Sequence, residues 1–222
     1  MCARLVVPDR AEAEGELTVS RPWWTFTTRF NVAPTHSVPV ARSHGGELEG
    51  VMMRWGLVPA ETRKTEFGPG KPFIPRALID EAELRSIWMH GQRGIVPLAG
   101  FYVWHHSAAG YRQPFYVRLV ARPVFGVAVL WDRFTTEDDD VIEGCGLITV
   151  PANRLLTEIG TIGSTMPAIL RREAYSSWLE GPPGPARELL EPYPAERMVG
   201  HAVSPRVNFS QFDDAGLIRR IE

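Results

Sequence analysis

Cysteine is nearly missing from this chain: Cys2 and Cys145 are the only two in 222 residues. That excludes a disulfide framework and suits a reducing, cytoplasmic setting. Lysine is as scarce. Lys64 and Lys71 are the two lysines among 24 basic residues, so an anion-binding surface here must be built from arginine, whose planar guanidinium suits phosphate. A bias in genomic base composition would produce the same excess. No apolar run approaches the roughly 18 residues of a membrane span. No charged stretch followed by an apolar one opens the chain, so a signal peptide is not expected. The histidines, His36, His44, His90, His105, His106 and His201, fall into neither CxxC nor HExxH spacing, so no zinc site or other cofactor is expected. There is no serine nucleophile elbow and no internal repeat.

What is present has the balance of an ordinary globular domain, 44% apolar and 23% charged. The length suits one sizeable core, and residues 1–222 are expected to form a single domain. A net charge of −2 argues against a coat of positive charge for duplex DNA and leaves room for a local basic groove.

Apolar runs bounded by Gly and Pro predict strands at 3–7, 37–42, 50–58, 94–104, 114–120, 124–132 and 145–150. Helical spacing covers Asp80 to His90, Ala152 to Glu158, Arg171 to Leu179 and a short stretch near 186–190. The connections are mostly too short for parallel crossovers. The expected class is therefore α+β, a mainly antiparallel, barrel-like sheet with flanking helices. Residues 61–72 and 181–185 read as loops, and Glu137-Asp138-Asp139-Asp140 as a solvated turn.

The opening Met1-Cys2-Ala3-Arg4 carries chemistry of its own. Aminopeptidases remove Met1 when the next residue is small, and Cys2 would then hold an α-amine and a β-thiol on adjacent carbons. That pair condenses with an aldehyde to an imine and closes to a five-membered thiazolidine. With pKa values of about 7.7–8.0 and about 8.5, both groups supply reactive free base near neutral pH. If Met1 stays, the ring cannot form.

Further motifs follow in order: Arg29-Phe30-Asn31-Val32-Ala33-Pro34-Thr35, Arg54-Trp55-Gly56-Leu57-Val58-Pro59, and Gly100-Phe101-Tyr102-Val103-Trp104. Then come Ile148-Thr149-Val150-Pro151, Met166-Pro167-Ala168 and Val203-Ser204-Pro205-Arg206-Val207-Asn208. Each alone fits packing. Together, behind Cys2, they resemble the SRAP family, the SOS-response-associated proteins that process abasic sites, over residues 2 to about 208. The resemblance implies a mostly β fold with a groove for single-stranded DNA. It also implies that Cys2 captures the ring-opened aldehyde of an abasic sugar as a thiazolidine crosslink, and that a peptidase-like step exposes the cysteine. Arg4 and Arg76 would contact phosphate. Asn31, Pro34 and Trp104 would line the groove, with Thr149 and Arg206 as further DNA-binding positions. Localisation would be cytoplasmic, on the nucleoid when DNA is bound.

The chain departs from that pattern at several positions. Pro75 stands where the family carries Asn, and Arg76 comes one place early. Val103 replaces an acid–base Glu. Gly160 and Thr165 stand where His and Arg are expected, and Glu61 or Thr62 where a second Trp is expected. Losing a proton-transfer group costs about 10²–10⁴-fold where it acts. Glu158, His105 and His106 are near in sequence and read as solvated loop residues with the capacity to compensate. The leading expectation is a crosslinking protein with impaired kinetics. A non-catalytic DNA- or protein-binding relative, and an N-terminal thiol hydrolase, are the alternatives.

Overall fold

The computed structural model describes residues 4–59, 70–106, 110–135, 139–160 and 165–221. Met1 and Cys2, residues 61–69 of the expected loop including Glu61 and Thr62, and Glu137 and Asp138 lie outside the described residues.

The first strand, β1 (Arg4–Val7), is apolar on both faces because both are covered. Leu5 and Val7 enter the main core, while Val6 turns to a smaller cluster with Tyr102, Tyr116, Val203, Val207 and Leu217. After β1 come α1 (Arg10–Leu17), β2 (Arg21–Pro22), β3 (Arg29–Val32), β4 (Ser37–His44) and β5 (Glu47–Trp55). Next are β6 (Phe73–Pro75), α2 (Ala82–Met89), β7 (Arg93–Leu98), β8 (Gly100–His106) and β9 (Arg112–Leu119). The remainder is β10 (Phe125–Thr135), β11 (Val141–Pro151), α3 (Arg154–Glu158), β12 (Thr165–Pro167), α4 (Tyr175–Glu180), α5 (Pro183–Glu188) and β13 (Met198–Ala202).

Two sheets result, and the fold is α+β with mostly antiparallel pairing. One has the order β13-β9-β8-β1-β3 and is antiparallel throughout. In the other, β11, β10, β7, β4 and β5 pair in turn, and a parallel contact from β5 back to β11 closes them into a barrel-like ring. β6 and β12 border β11, and β2 borders β5.

The apolar run 94–104, expected as one strand, is two strands in different sheets. The chain crosses at Ala99, whose N–H donates to Val6 O at 2.9 Å. A run buried in both sheets has no polar residue to mark the crossing, so periodicity could not find it. Gly100 follows because a Cβ there would lie 2.3 Å from the Tyr116 ring. The expected strand 50–58 ends at Trp55, since the Gly56 N–H turns to Cys145 O at 2.8 Å. Helix α1 was not foreseen. It buries only Ala13 and Leu17, but its Asp9–Glu12 capping box marks the start in the sequence. The loop expected at 181–185 gives way to α5, with Pro183 in its first turn.

Candidate functional site

Arg4 opens β1 opposite Tyr102 on β8, with β3 on the other side pairing Leu5 to Val32. The turn after β3 carries Pro34, half-buried, and Thr35 in a left-handed conformation at φ 79°. That turn is pinned to β5, because Thr35 N–H donates to Trp55 O and Trp55 N–H to His36 O, both at 2.8 Å. Arg29 is in register with Val7, at the far end of β1 from Arg4, yet the charges of both reach His36. Burial, then the charges of Arg29 and Arg4, hold the His36 imidazole below its ordinary pKa, with Asp213 opposing them. Burial also lowers the pKa of Arg4. At His36 two guanidinium charges thus oppose one carboxylate.

Behind this end runs the C-terminal segment. Asp213 accepts from the Arg29 guanidinium and from the N–H of Asn31 at 3.0 Å. Asn31 is fully buried, and its Nδ2 donates to Phe209 O at 3.1 Å and Phe212 O at 2.9 Å. Trp104, half-buried, donates from Nε1 to Asn208 Oδ1 at 2.8 Å. Arg206, on the same 3₁₀ turn (Pro205–Asn208), pairs with Asp214 at 2.8 Å and lies 4.3 Å over the Phe212 ring. The spacing of motifs did not reveal Arg29, His36, Asn208 or Asp213 as neighbours. Arg29 opens and Asn208 closes motifs present in the sequence and His36 follows the first of them, while Asp213 lies in none.

A second group forms at β11. Thr149, buried, is in register with Pro75 of β6 on one side and Pro167 of β12 on the other. Arg76 follows Pro75 on a 3₁₀ turn and donates from Nη2 to Arg187 O at 3.3 Å, joining α5. So the sequence-predicted positions assemble in two sets: Arg4, Asn31, Pro34, Trp104 and Arg206 at the sheet end, and Arg76 and Thr149 at β11.

Strand β8 sorts its residues by face. Phe101 and Val103 enter the main core, Val103 with 3% of its surface exposed, while Tyr102 and Trp104 join the smaller cluster. His105 falls on the Val103 side by alternation. It is half-buried in a strand, not in the solvated loop expected of it, and His106 also belongs to β8. The His105 Nδ1 lies 2.7 Å from Ile159 O, just past α3. Gly160 comes next, at φ 75°, the left-handed position that closes a helix. A Cβ on Gly160 would sit 2.9 Å from His105 Nδ1. His106 faces Arg112 across the pair; desolvation first, then that charge, lowers its pKa. Glu158 is exposed and paired with Arg154 at 2.6 Å.

The two thiols differ in kind. Cys145 is fully buried in β11, and burial pushes its pKa up to about 12, so it is not a thiolate at neutral pH. Any cysteine chemistry therefore falls to Cys2.

Comparison with known proteins bears on the family and the fold. Over 202 residues the chain is 28% identical to a Bacillus subtilis protein named abasic site processing protein YoqW, covering 89% of this chain and 88% of that one. Abasic site processing protein YoaM of the same organism is 25% identical over 200 residues, covering 89% and 87%. A crystal structure of a Bacteroides thetaiotaomicron protein superposes with a TM-score of 0.85 at 22% identity, over the whole of both chains. A Bordetella bronchiseptica protein superposes at 0.78, also 22% identical, over 91% of this chain and all of that one. No helix among the described residues is long and apolar enough to cross a membrane. With the model of SRAP, SOS response associated peptidase, matching residues 1–210, the chain belongs to the SRAP family.

Proposed function

We propose that this protein processes abasic sites in DNA: it binds the single strand at the arginine-lined sheet end and captures the lesion through Cys2. After Met1 is removed, the α-amine adds to the C1′ aldehyde of the ring-opened sugar, and the carbinolamine loses water to give an imine. The Cys2 sulfur then adds to the C=N carbon and the nitrogen takes up the thiol's proton, closing a thiazolidine.

Arg4 at the head of β1, next to the N-terminal segment that carries Cys2, is the observation that carries this reading. Cys2 is two residues from Arg4, so covalent geometry keeps their Cα atoms within about 7 Å. Positive charge from Arg4, so near in the chain, favours a free amine and a thiolate, the two nucleophilic forms. Arg4 at this end, and Arg76 from the separate group at β11, would be the phosphate contacts, with Pro34 and Trp104 as groove wall. Arg206 would act at the sheet end, where buried Asn31 supports it from behind, and Thr149 with Arg76 at β11. Covalent capture suits this ligand, since an abasic sugar has no base to read and proximity takes the place of affinity.

Val103 in the core and Pro75 on β6 supply no acid or amide where the family resemblance implies them, so crosslinking is slower than in a relative that keeps both. The same two residues favour the second reading, a binding relative without the reaction.

The deciding experiment incubates the Met-processed protein, its N-terminus checked by intact mass, with a single-stranded oligonucleotide bearing one abasic site. A covalent adduct on a denaturing gel, absent for Cys2→Ala, is expected. Equal, lesion-independent DNA binding by wild type and Cys2→Ala with no adduct would establish the second reading instead.

A further inference from the structure

An isolated apolar side chain at a protein surface is ordinary and marks nothing by itself. Phe209, with 55% of its surface exposed, is set apart by how it is held and by what stands beside it. Its N–H donates to Arg206 O at 3.0 Å, and its carbonyl accepts from Asn31 Nδ2 at 3.1 Å and from the Phe212 N–H at 3.2 Å. The residue is extended, at φ −108° and ψ 120°, where the 3₁₀ turn ends. A backbone tied to buried Asn31 thus presents the ring to solvent. The Phe212 ring stands nearly perpendicular to it, with centroids 6.4 Å apart.

Alternation places this ring on the face of the five-stranded sheet that carries the other candidates. Arg4 pairs with Tyr102, so the two share a face, and Trp104 lies two residues further along β8 on the same side. Asn31 is on that side too, because its neighbour Val32 enters the main core on the other. The C-terminal segment lies against this face, and Asn208, immediately before Phe209, accepts from Trp104 Nε1 at 2.8 Å. Charges beside the ring are balanced, since Arg206 pairs with Asp214 and Arg29 with Asp213. Here the face offers a ligand aromatic surface more than charge.

Two partly exposed rings present on the order of 200 Å², well short of the roughly 800 Å² a side of a stable protein interface. That area suits one or two nucleobases, each of which has a π-face whatever its identity. We infer that Phe209 is a stacking platform for an unpaired base of the bound strand, beside Trp104 and on the same face as the proposed phosphate contact Arg4. The abasic sugar has nothing to stack, so the occupant is an intact nucleotide flanking the lesion. A base inside a duplex has both faces covered and is rejected. The inference rests on the single-strand reading of the sheet end and deepens it, because Phe209 then selects unpaired over paired DNA without reading sequence.

Equilibrium binding of labelled single strands tests this without the covalent step. One probe carries tetrahydrofuran, which has no aldehyde, at the lesion position and ordinary bases elsewhere. A second carries tetrahydrofuran at every position. Phe209→Ala is expected to weaken the first probe about tenfold, within the range for one stacked base, and the second not at all. Phe209→Leu keeps an apolar contact for Phe212 but has no π-face, and should lose as much, whereas Phe209→Trp should bind like the wild type. The salt dependence should be the same in wild type and Phe209→Ala, because no phosphate contact is removed. Equal losses on both probes, or no loss on either while Arg4→Gln still weakens binding, overturn the platform and leave the single-strand reading intact. A wild type that binds neither probe overturns both.

Discussion

Asn31, with none of its surface exposed, donates from Nδ2 to the carbonyl of Phe212 at 2.9 Å and so ties β3 to the C-terminal segment. The same nitrogen reaches Phe209 O, and Asp213 returns the connection through the Asn31 N–H. The segment that carries Arg206 and Asn208, and through Asn208 steadies Trp104, is therefore tied to β3 by the Asn31 amide together with Asp213.

Replacing Asn31 by Ala would leave two carbonyls without their donor. A loss of about 2–3 kcal/mol in unfolding free energy is expected, at the upper end for hydrogen-bonded buried groups. Denaturant unfolding measures it. Affinity for single-stranded DNA, measured on the folded fraction, should change less for Asn31→Ala than for Arg4→Gln, which removes the charge proposed to meet phosphate.

Stability should fall with acid through His36. Its pKa in the folded state is below the ordinary value of 6.5, so the unfolded chain binds more protons at mildly acidic pH. For a group depressed in this way, the stabilisation is complete above the unfolded pKa and is lost as pH falls through it toward the folded value. The Ala33 N–H, which needs a lone pair on Nδ1, loses its acceptor on protonation. The urea midpoint should therefore drop between pH 7.5 and 5.5, and His36→Gln should make that drop smaller. Removing the opposing charge with Asp213→Asn should lower the NMR titration midpoint of His36 further.

Thiol reactivity should separate the two cysteines. Cys145 is fully buried with its thiol pushed up to about 12, so a thiol-specific disulfide reagent should leave it unmodified in the folded protein. One equivalent should react under native conditions, at Cys2, and two in guanidinium chloride. Two equivalents under native conditions would contradict the buried position of Cys145.

Much of the fold was legible because alternation and turn residues are local. β4, β9, β10 and β11 fall where apolar runs predict them, and α2 where its apolar spacing does. The failures are also local in cause. β6, β12 and β2 are two or three residues long and owe their existence to the strands beside them. α1 buries too few residues to have a pattern. At the site, the order of motifs pointed to Thr149, Pro75 and Pro167 without indicating that they share a register.

Composition and pattern alone decided that the chain is an α+β protein of mostly antiparallel strands. They also left a cysteine at position 2, two residues from an arginine, as its distinctive feature. Tertiary structure decided which candidates touch one another. Arg29 meets Asp213 across 184 positions and His105 meets Ile159 across 54, and contacts at such separations leave no periodic trace in the sequence. Burial decided the rest: in water Cys145 would be an ordinary thiol and Asn31 an ordinary polar side chain, and the folded interior makes the first inert and the second a clamp.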